Sequence, residues 1–240
     1  MNVFTGKYVI ITYATHVQGH FNELIHNSYN EPVIVLGMGE KWNGFMDKPK
    51  AFNDYIRFMN DYDIIIVLDG FDTMIKKSPK IAIHRFLEMQ HNGIVVSKDL
   101  NIFGYNRIVY GSCRGSVTAN TGMHMGFVKH LKALYTDMIQ VDLKHPGFRH
   151  DDQKILNNLC KKHQLTVDNH NEIFLNVSPG WFKATLPRRY NAVFVQFPGK
   201  NDHPSQRAKP IIACFLVIAL IVVLFNKNLT SYKTATIKKK

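Results

Sequence analysis

Two aspartates three residues apart, Asp69 and Asp72, directly follow an apolar segment. That segment, Ile64–Leu68, is apolar throughout, which predicts a strand buried on both faces of a parallel sheet. Because ligands of open α/β sheets bind at the carboxyl ends of strands, the two carboxylates are expected to face a ligand. They repel each other unless a cation lies between them, and oxygen ligands suit Mg²⁺ or Mn²⁺, which can in turn hold a diphosphate. The segment therefore predicts a metal–nucleotide site. The alternative is a helix cap at Asp69 and a solvated turn residue at Asp72.

The segments around this strand alternate between strand and helix patterns, which is typical of an α/β architecture. The predicted strands are Tyr8–Tyr13, Pro32–Leu36, Ile64–Leu68, Gly93–Ser97, Met123–Phe127 and Ala192–Gln196. Apolar residues at helical spacing predict an amphipathic helix over Lys50–Asn60, and Asp152 is expected to cap a helix that ends at Leu159. Residues 98–119 are rich in Gly, Asn and Ser and predict a long loop, a feature that is often functional.

The composition excludes some classes of protein. The formal charge is +12, but the basic residues are spread along the chain without an arginine-rich helix, so we expect no binding to nucleic acid. A solvated surface with a bias toward anionic lipid explains the charge more simply. The three cysteines Cys113, Cys160 and Cys214 are isolated and odd in number. They predict neither a disulfide framework nor a structural zinc site.

Residues 211–225 form an uninterrupted apolar run that basic residues flank on both sides. A membrane-spanning helix needs roughly 17 to 25 residues, so this run is at the short limit. We expect it to span the membrane, because it is apolar all round and a polar basic tail follows it. The alternative is a buried core helix. The expected organisation is a domain over 1–205, a linker with a transmembrane helix over 206–226, and a basic tail over 227–240.

Several segments together resemble the glycosyltransferase domain of procollagen lysyl hydroxylases. They are Leu36–Gly44 (LGMGEKWNG), Leu68–Asp72 (LDGFD), Asn120–Gly126 (NTGMHMG) and Asp151–Gln153 (DDQ), in the family's order and approximate spacing. The resemblance covers roughly residues 7–200. It implies a GT-A type α/β fold with a mainly parallel mixed sheet, a UDP-glucose or UDP-galactose donor, and Mn²⁺ or Mg²⁺ as cofactor.

The resemblance also implies roles for individual residues. Asp69 and Asp72 match the family's metal-binding acids, and Phe71 between them replaces an aromatic residue near the uridine. Thr12 matches a threonine at the nucleotide end of the first strand, and Trp42 matches the tryptophan of a glycine-bearing loop.

Asp151 and Asp152 match an acidic pair that the family places near the sugar and the acceptor. Glycosyl transfer passes through an oxocarbenium-like state, so it needs a base or charge stabiliser near the sugar and a metal to neutralise the departing diphosphate. The resemblance therefore implies a catalytic role for both aspartates. The alternative is that the pair caps a helix.

The chain departs from the family at two places. The family follows its tryptophan with two glycines, whereas this chain has Asn43–Phe45, so the loop is less free to approach the donor. The family's third metal ligand is a histidine, and Gln196 stands at that position here. An amide oxygen ligates a hard cation, but more weakly than imidazole ligates Mn²⁺. His203 is close enough in sequence to substitute, and Lys200 could hold a phosphate by its charge.

We therefore expect a membrane-attached glycosyltransferase that moves glucose or galactose from a UDP-sugar to a hydroxyl acceptor, such as hydroxylysine. The alternative is a catalytically weakened, membrane-bound module that keeps the fold and UDP binding. A nucleic-acid-binding protein has only the net charge in its favour.

We expect the domain to lie on the cytosolic side of the membrane, slightly in preference to the secretory lumen. A secretory signal is not evident near Met1, and an odd set of cysteines favours a cytosolic domain. The family resemblance favours the secretory lumen instead. A glycosylation sequon begins at Asn176 and gives one handle on the question.

Overall fold

A six-stranded sheet forms the centre of the fold, with strand order β2-β1-β3-β6-β5-β7. The structure is a computed structural model that describes residues 6–89, 93–100, 104–148, 150–177 and 191–198, all of which belong to one compact unit. The strands are β1 Tyr8–Tyr13, β2 Val33–Leu36, β3 Ile64–Leu68, β4 Thr73–Ile75, β5 Ile94–Lys98, β6 Ala119–Phe127, β7 Thr166–Asp168, β8 Phe174–Asn176 and β9 Phe194–Gln196. The helices are α1 Phe21–Ile25, α2 Asp47–Ile56, α3 Pro79–Glu88, α4 Tyr105–Tyr110, α5 Val128–Lys144 and α6 Asp152–Leu159.

Strand directions in this sheet are mixed but mainly parallel. β1 runs parallel to both β2 and β3, and β7 runs parallel to β5. β6 lies antiparallel between β3 and β5. The predicted mainly parallel α/β architecture is confirmed. The parallel arrangement of β1, β2 and β3 gathers the residues after these strands at one edge of the sheet.

Both faces of the sheet are covered, because alternate residues of the central strands enter different clusters. Ile65 and Val67 of β3 join a cluster with residues of α2, α5 and α6. Ile64, Ile66 and Leu68 join a second cluster with residues of α1 and α3. Burial on both faces explains why this strand is apolar at every position.

A second sheet has three strands in the order β4-β9-β8. β4 and β9 are antiparallel, and β8 and β9 are parallel. Phe174 and Phe194 stack in this sheet and belong to the second core cluster. The sheet therefore has an apolar interior, and its outermost register row carries the polar residues Thr73, Gln196 and Asn176.

The structure corrects three local predictions. Helix α2 occupies Asp47–Ile56, so the predicted helix over Lys50–Asn60 lies three to four residues too late. The predicted loop over residues 98–119 contains helix α4. Asp151, rather than Asp152, is the cap of α6.

The cysteine prediction was also wrong. Cys113 and Cys160 form a disulfide, with their Cα atoms 5.1 Å apart. The bond joins the connection before β6 to the end of α6, two segments that are 47 residues apart in sequence. Cysteine spacing in the sequence did not indicate the pair, because the fold alone brings these segments together.

The predicted transmembrane helix over residues 211–225 lies outside the described residues. None of the helices within the described ranges is long and apolar enough to cross a membrane. The domain boundary near residue 205 and the membrane segment remain predictions.

Candidate active site

The turn between β3 and β4 carries the two aspartates singled out from the sequence. The N–H of Asp69 donates to the carbonyl oxygen of Gly122 in β6 at 2.7 Å, which fixes the start of the turn to the neighbouring strand. The carbonyl oxygen of Asp72 accepts from the N–H of Phe197 at 2.8 Å, which fixes its end beside β9. The turn thus joins the edges of the two sheets, and Asp69 is not a helix cap.

Gln196 joins the two carboxylates. Its side-chain N–H group donates to Asp69 Oδ2 at 2.9 Å and to Asp72 Oδ1 at 3.0 Å, while its Oε1 is buried without a partner among the described residues. Gln196, the predicted third ligand position, thus lies beside the two acids with the nitrogen of its amide toward them. Burial and the Asp69 carboxylate raise the pKa of Asp72 from 3.8 to about 7, against the lowering effects of Gln196 and Lys48.

Lys48, in the first turn of α2, connects the acidic turn to the start of α6. Its Nζ lies 3.1 Å from Asp69 Oδ1 and 3.1 Å from Asp152 Oδ2. The Lys48 side chain is 12% exposed and that of Asp152 is 8% exposed, so this is a buried ion pair. Burial opposes the charged form of Lys48, but Asp152 and Asp69 outweigh it and raise its pKa above the ordinary value.

The two aspartates at the start of α6 have different environments. Asp151 caps the helix, because its Oδ1 accepts from the N–H of Lys154 at 3.0 Å. Asp152 is buried against Lys48. Burial raises the pKa of Asp152, and Lys48 acts in the opposite direction. The helix-cap alternative thus holds for Asp151, and Asp152 belongs to the charged cluster.

Glycines allow these groups to approach one another closely. A β-carbon at Gly122 would lie 2.5 Å from Gln196 Oε1 and 2.7 Å from Asp69 Oδ2. A β-carbon at Gly70 would lie 3.0 Å from Thr12 Oγ1. Thr12 is fully buried at the end of β1, and its hydroxyl has no partner among the described residues. A side chain at Gly122 would therefore push Gln196 and Asp69 out of these positions, whereas one at Gly70 would be tightly packed.

An aromatic surface adjoins the charged cluster. Trp42 and Phe45 lie in the connection between β2 and α2, with ring centroids 5.7 Å apart. Trp42 is 43% exposed and Phe45 is 55% exposed. The Trp42 ring also lies 5.8 Å from Tyr13, and the Phe45 ring lies 5.8 Å from Lys48 Nζ. Exposed aromatic rings beside charged groups are suited to contact a base or a sugar.

Phe71 occupies the middle of the acidic turn. It is half-buried, and its ring lies 5.1 Å from that of His16 in the connection after β1. Its carbonyl oxygen accepts from the N–H of His20 at 2.7 Å. Phe71 therefore holds the turn against the β1–α1 connection and presents an aromatic face near the predicted nucleotide end of the sheet.

A buried histidine lies beneath the cluster. His124 Nδ1 donates to the Thr121 carbonyl oxygen at 3.1 Å, so its Nε2 accepts from the Tyr135 hydroxyl at 2.6 Å. Burial is the largest of the effects that lower the pKa of His124 from 6.5 to about 4, so the ring is neutral. This residue is therefore a core histidine with both ring nitrogens hydrogen-bonded.

One predicted site residue, Lys200, lies outside the described residues, as does the substitute ligand His203. Within the described part of the chain, no three His, Cys, Asp or Glu side chains group as metal ligands. The acids that converge are Asp69, Asp72 and Asp152, and Lys48 and Gln196 hold them.

The match to known families covers most of the chain. The family model described as the PLOD GT domain, the glycosyltransferase domain of procollagen lysyl hydroxylases, matches residues 5–196. The chain belongs to the PLOD GT domain family. The suspected resemblance is confirmed, and the mixed, mainly parallel sheet is consistent with the GT-A fold of a PLOD-type glycosyltransferase domain.

A curated relative also shows partial similarity. The 3-dehydroquinate synthase of Clostridium botulinum (strain Alaska E43 / Type E3) is 34% identical over 74 residues, which cover 28% of this chain and 21% of the relative. The chain spans about a fifth of the length of that relative. A match of this extent says nothing about the activity of this chain.

Sequence reasoning missed Lys48, Gly122 and the role of His124. Lys48 precedes a proline at a helix start, and its partners lie 21 and 104 positions away. Local sequence carries no signal for such a contact. Gly122 and His124 lie inside the Asn120–Gly126 segment that carried the family resemblance, so the resemblance was the one available signal for them.

Proposed function

We propose that this domain transfers glucose or galactose from a UDP-sugar to a hydroxyl acceptor. The observation that carries the proposal is the convergence of three carboxylates, one ammonium group and one amide at the carboxyl edge of the sheet, beside an exposed aromatic surface. In open α/β sheets this edge is where ligands bind. Family membership supports the same reaction class.

The departing diphosphate requires positive charge. A divalent cation held by Asp69 and Asp72, with Gln196 turned to present its oxygen, would neutralise that charge. Lys48 supplies a further charge from the protein. Its ammonium has three N–H donors, and carboxylates take two of them, which leaves one N–H for a phosphate oxygen among the described contacts.

The acceptor side involves the start of α6. The acceptor oxygen attacks the sugar C1, the bond from C1 to the UDP oxygen breaks with its electron pair going to the diphosphate, and a carboxylate takes the hydroxyl proton. We assign that proton to Asp151, which is more exposed than Asp152 and uses one oxygen for the helix cap. Asp152 positions Lys48.

A UDP-release assay on the full chain, with UDP-glucose and UDP-galactose and with Mg²⁺ or Mn²⁺, tests this function. We expect hydrolysis or transfer with one of the two sugars. Asp69→Asn should weaken metal-dependent UDP binding by on the order of 1.5 to 3 kcal/mol, the value of a hydrogen bond to a charged group. Unchanged UDP affinity in this variant would contradict the assignment of the acidic turn.

A second candidate function is a weakened module that binds UDP without turnover. The orientation of Gln196, with its N–H group rather than its oxygen toward the acids, favours it. This alternative would be supported if the domain binds UDP but releases no UDP from any sugar donor, and if Gln196→His restores that release.

We further propose a membrane-attached domain on the lumenal side of the secretory pathway. The apolar run over residues 211–225 supplies the attachment. The expectation of a cytosolic domain rested in part on unpaired cysteines, whereas disulfides such as Cys113–Cys160 persist in oxidising compartments. Protection of the domain from added protease in intact microsomes would support this placement, and digestion without detergent would refute it.

The sequon at Asn176 is not a suitable reporter of this topology. Its side chain is buried and donates to the Lys98 carbonyl oxygen at 2.7 Å. A glycan on Asn176 would therefore require the folded domain to open.

A further inference from the structure

Three buried polar side chains lie in one register row of the small sheet. Gln196 of β9 is paired with Thr73 of β4 on one side and with Asn176 of β8 on the other. Directly paired residues of neighbouring strands project to the same face. In each of the three, one side-chain oxygen is buried and has no partner among the described residues. A row of such oxygens is costly unless water or a ligand satisfies it.

Gln196 is the member of the row that reaches the acidic turn. Its nitrogen lies 2.9 Å and 3.0 Å from oxygens of Asp69 and Asp72, and both oxygens only accept when the carboxylates are ionised. The nitrogen and oxygen of a glutamine amide have almost the same size and exchange places when the amide turns by half a rotation. After that turn, the oxygen of Gln196 takes the place of the nitrogen beside the oxygens of Asp69 and Asp72, and oxygens this close repel each other unless a cation lies between them.

The charge of the cluster suits a divalent cation. Three carboxylates and one ammonium give a formal charge of −3 + 1 = −2 at Asp69, Asp72, Asp152 and Lys48. The donor set consists of hard oxygens, which fit Mg²⁺. Mg²⁺ also retains several waters, and the oxygens of Thr73 and Asn176 in the same row are suited to accept from them.

We propose that binding of a divalent cation turns the Gln196 amide, so that its oxygen faces the ion. The resulting all-oxygen site takes Mg²⁺ in preference to the softer divalent metals that an imidazole at this position would favour. The proposal rests on the proposed function and specifies its cofactor. Imidazole suits metals such as Ni²⁺ and Zn²⁺, whereas carbonyl and carboxylate oxygens suit Mg²⁺ and Mn²⁺. The exchange of histidine for glutamine thus changes which ion is selected.

Cation binding to the full chain, measured without nucleotide, tests the selectivity. Bound Mn²⁺ is followed by electron paramagnetic resonance and displaced with Mg²⁺ or Ni²⁺. We expect Gln196→His to raise the ratio of Ni²⁺ to Mg²⁺ affinity at least tenfold. Gln196→Glu, which keeps an oxygen ligand, should leave that ratio within threefold of the wild type, and Gln196→Leu should weaken all three ions about tenfold.

Nuclear magnetic resonance tests the amide turn. Adding Mg²⁺ should shift the side-chain NH₂ signals of Gln196, which lose their two carboxylate acceptors. The buried amide of Asn157, which donates to the carbonyl oxygens of Ala119 and Gln153, is the matched control and should not shift.

Two results would overturn the proposal. One is a wild-type protein that binds no cation while Gln196→His does, which would mean that the amide stays turned toward the acids. The other is an ion ratio that none of the three Gln196 variants changes. Because nucleotide is absent from these measurements, a domain that selects Mg²⁺ as described but releases no UDP would refute the proposed function alone.

Discussion

Removing the Lys48 ammonium should destabilise the fold far more than removing an exposed lysine. In Lys48→Met, the carboxylate of Asp152, which is 8% exposed, loses its buried ion-pair partner, and the carboxylate of Asp69 loses one of the two donors that it has among the described residues. Truncating one partner of a buried pair typically costs about 3 to 5 kcal/mol, since the remaining charge is left without compensation. At roughly 2 to 4 °C per kcal/mol for a domain of this size, the melting temperature should fall by about 6 to 20 °C.

Urea unfolding of the full chain measures this loss. The midpoint should fall while the slope stays constant, because the surface exposed on unfolding does not change. Lys162→Met is the matched control: Lys162 is 63% exposed in its pair with Asp137, so we expect a loss below about 1 kcal/mol. The double variant Lys48→Met with Asp152→Asn should recover most of the stability, because it removes the orphaned charge. Equal losses in Lys48→Met and Lys162→Met would refute a buried, compensated charge cluster.

Three further predictions follow from single contacts. Asp151→Asn keeps a good helix cap but removes the proposed base, so turnover should fall by about 10² to 10⁴-fold with unchanged UDP affinity and melting temperature; unchanged turnover in Asp151→Asn, with a loss of stability only in Asp151→Ala, would instead assign Asp151 to the cap alone. Reducing Cys113–Cys160, whose partners are 47 residues apart, should cost about 4 kcal/mol by the loop-entropy estimate, measured by unfolding with and without dithiothreitol; an unchanged midpoint would mean that the bond does not form. The pKa of His124 is lowered from 6.5 to about 4, so its contribution to stability is present above pH 6.5 and is lost as the pH falls toward 4, by about 3 kcal/mol. His124→Gln should flatten that part of the plot of unfolding free energy against pH. An unchanged slope would contradict a buried neutral ring.

The core of the fold could be predicted because its strands carry strong local signals. β1 coincides with the predicted segment Tyr8–Tyr13, and β3 with the apolar run that begins at Ile64. The three-residue strands β4, β7 and β8 are too short to show a period, and their pairing partners are distant in sequence. The short helix α4 lies between glycines, which local reasoning assigns to a loop.

The candidate site likewise has features that the sequence indicated and features that it did not. Asp69 and Asp72 were accessible because they directly follow a buried strand, and the position of Gln196 came from the family resemblance. The orientation of the Gln196 amide was not accessible, since it depends on two acceptors more than 120 positions away. Neither was the Cys113–Cys160 bond, which depends on where α6 packs.

Lys48 also constrains how the two halves of the site move. Its ammonium contacts Asp69 on the turn after β3 and Asp152 on the first turn of α6, so one buried group holds the proposed diphosphate side and the proposed acceptor side together. Relative movement of the turn and the helix would separate a buried charge from one of its partners, which costs several kcal/mol. Reactive groups must keep their geometry to well within 1 Å for efficient transfer. The pair therefore favours a preformed site in which the aromatic surface of Trp42 and Phe45, rather than the acidic cluster, adjusts to the ligand.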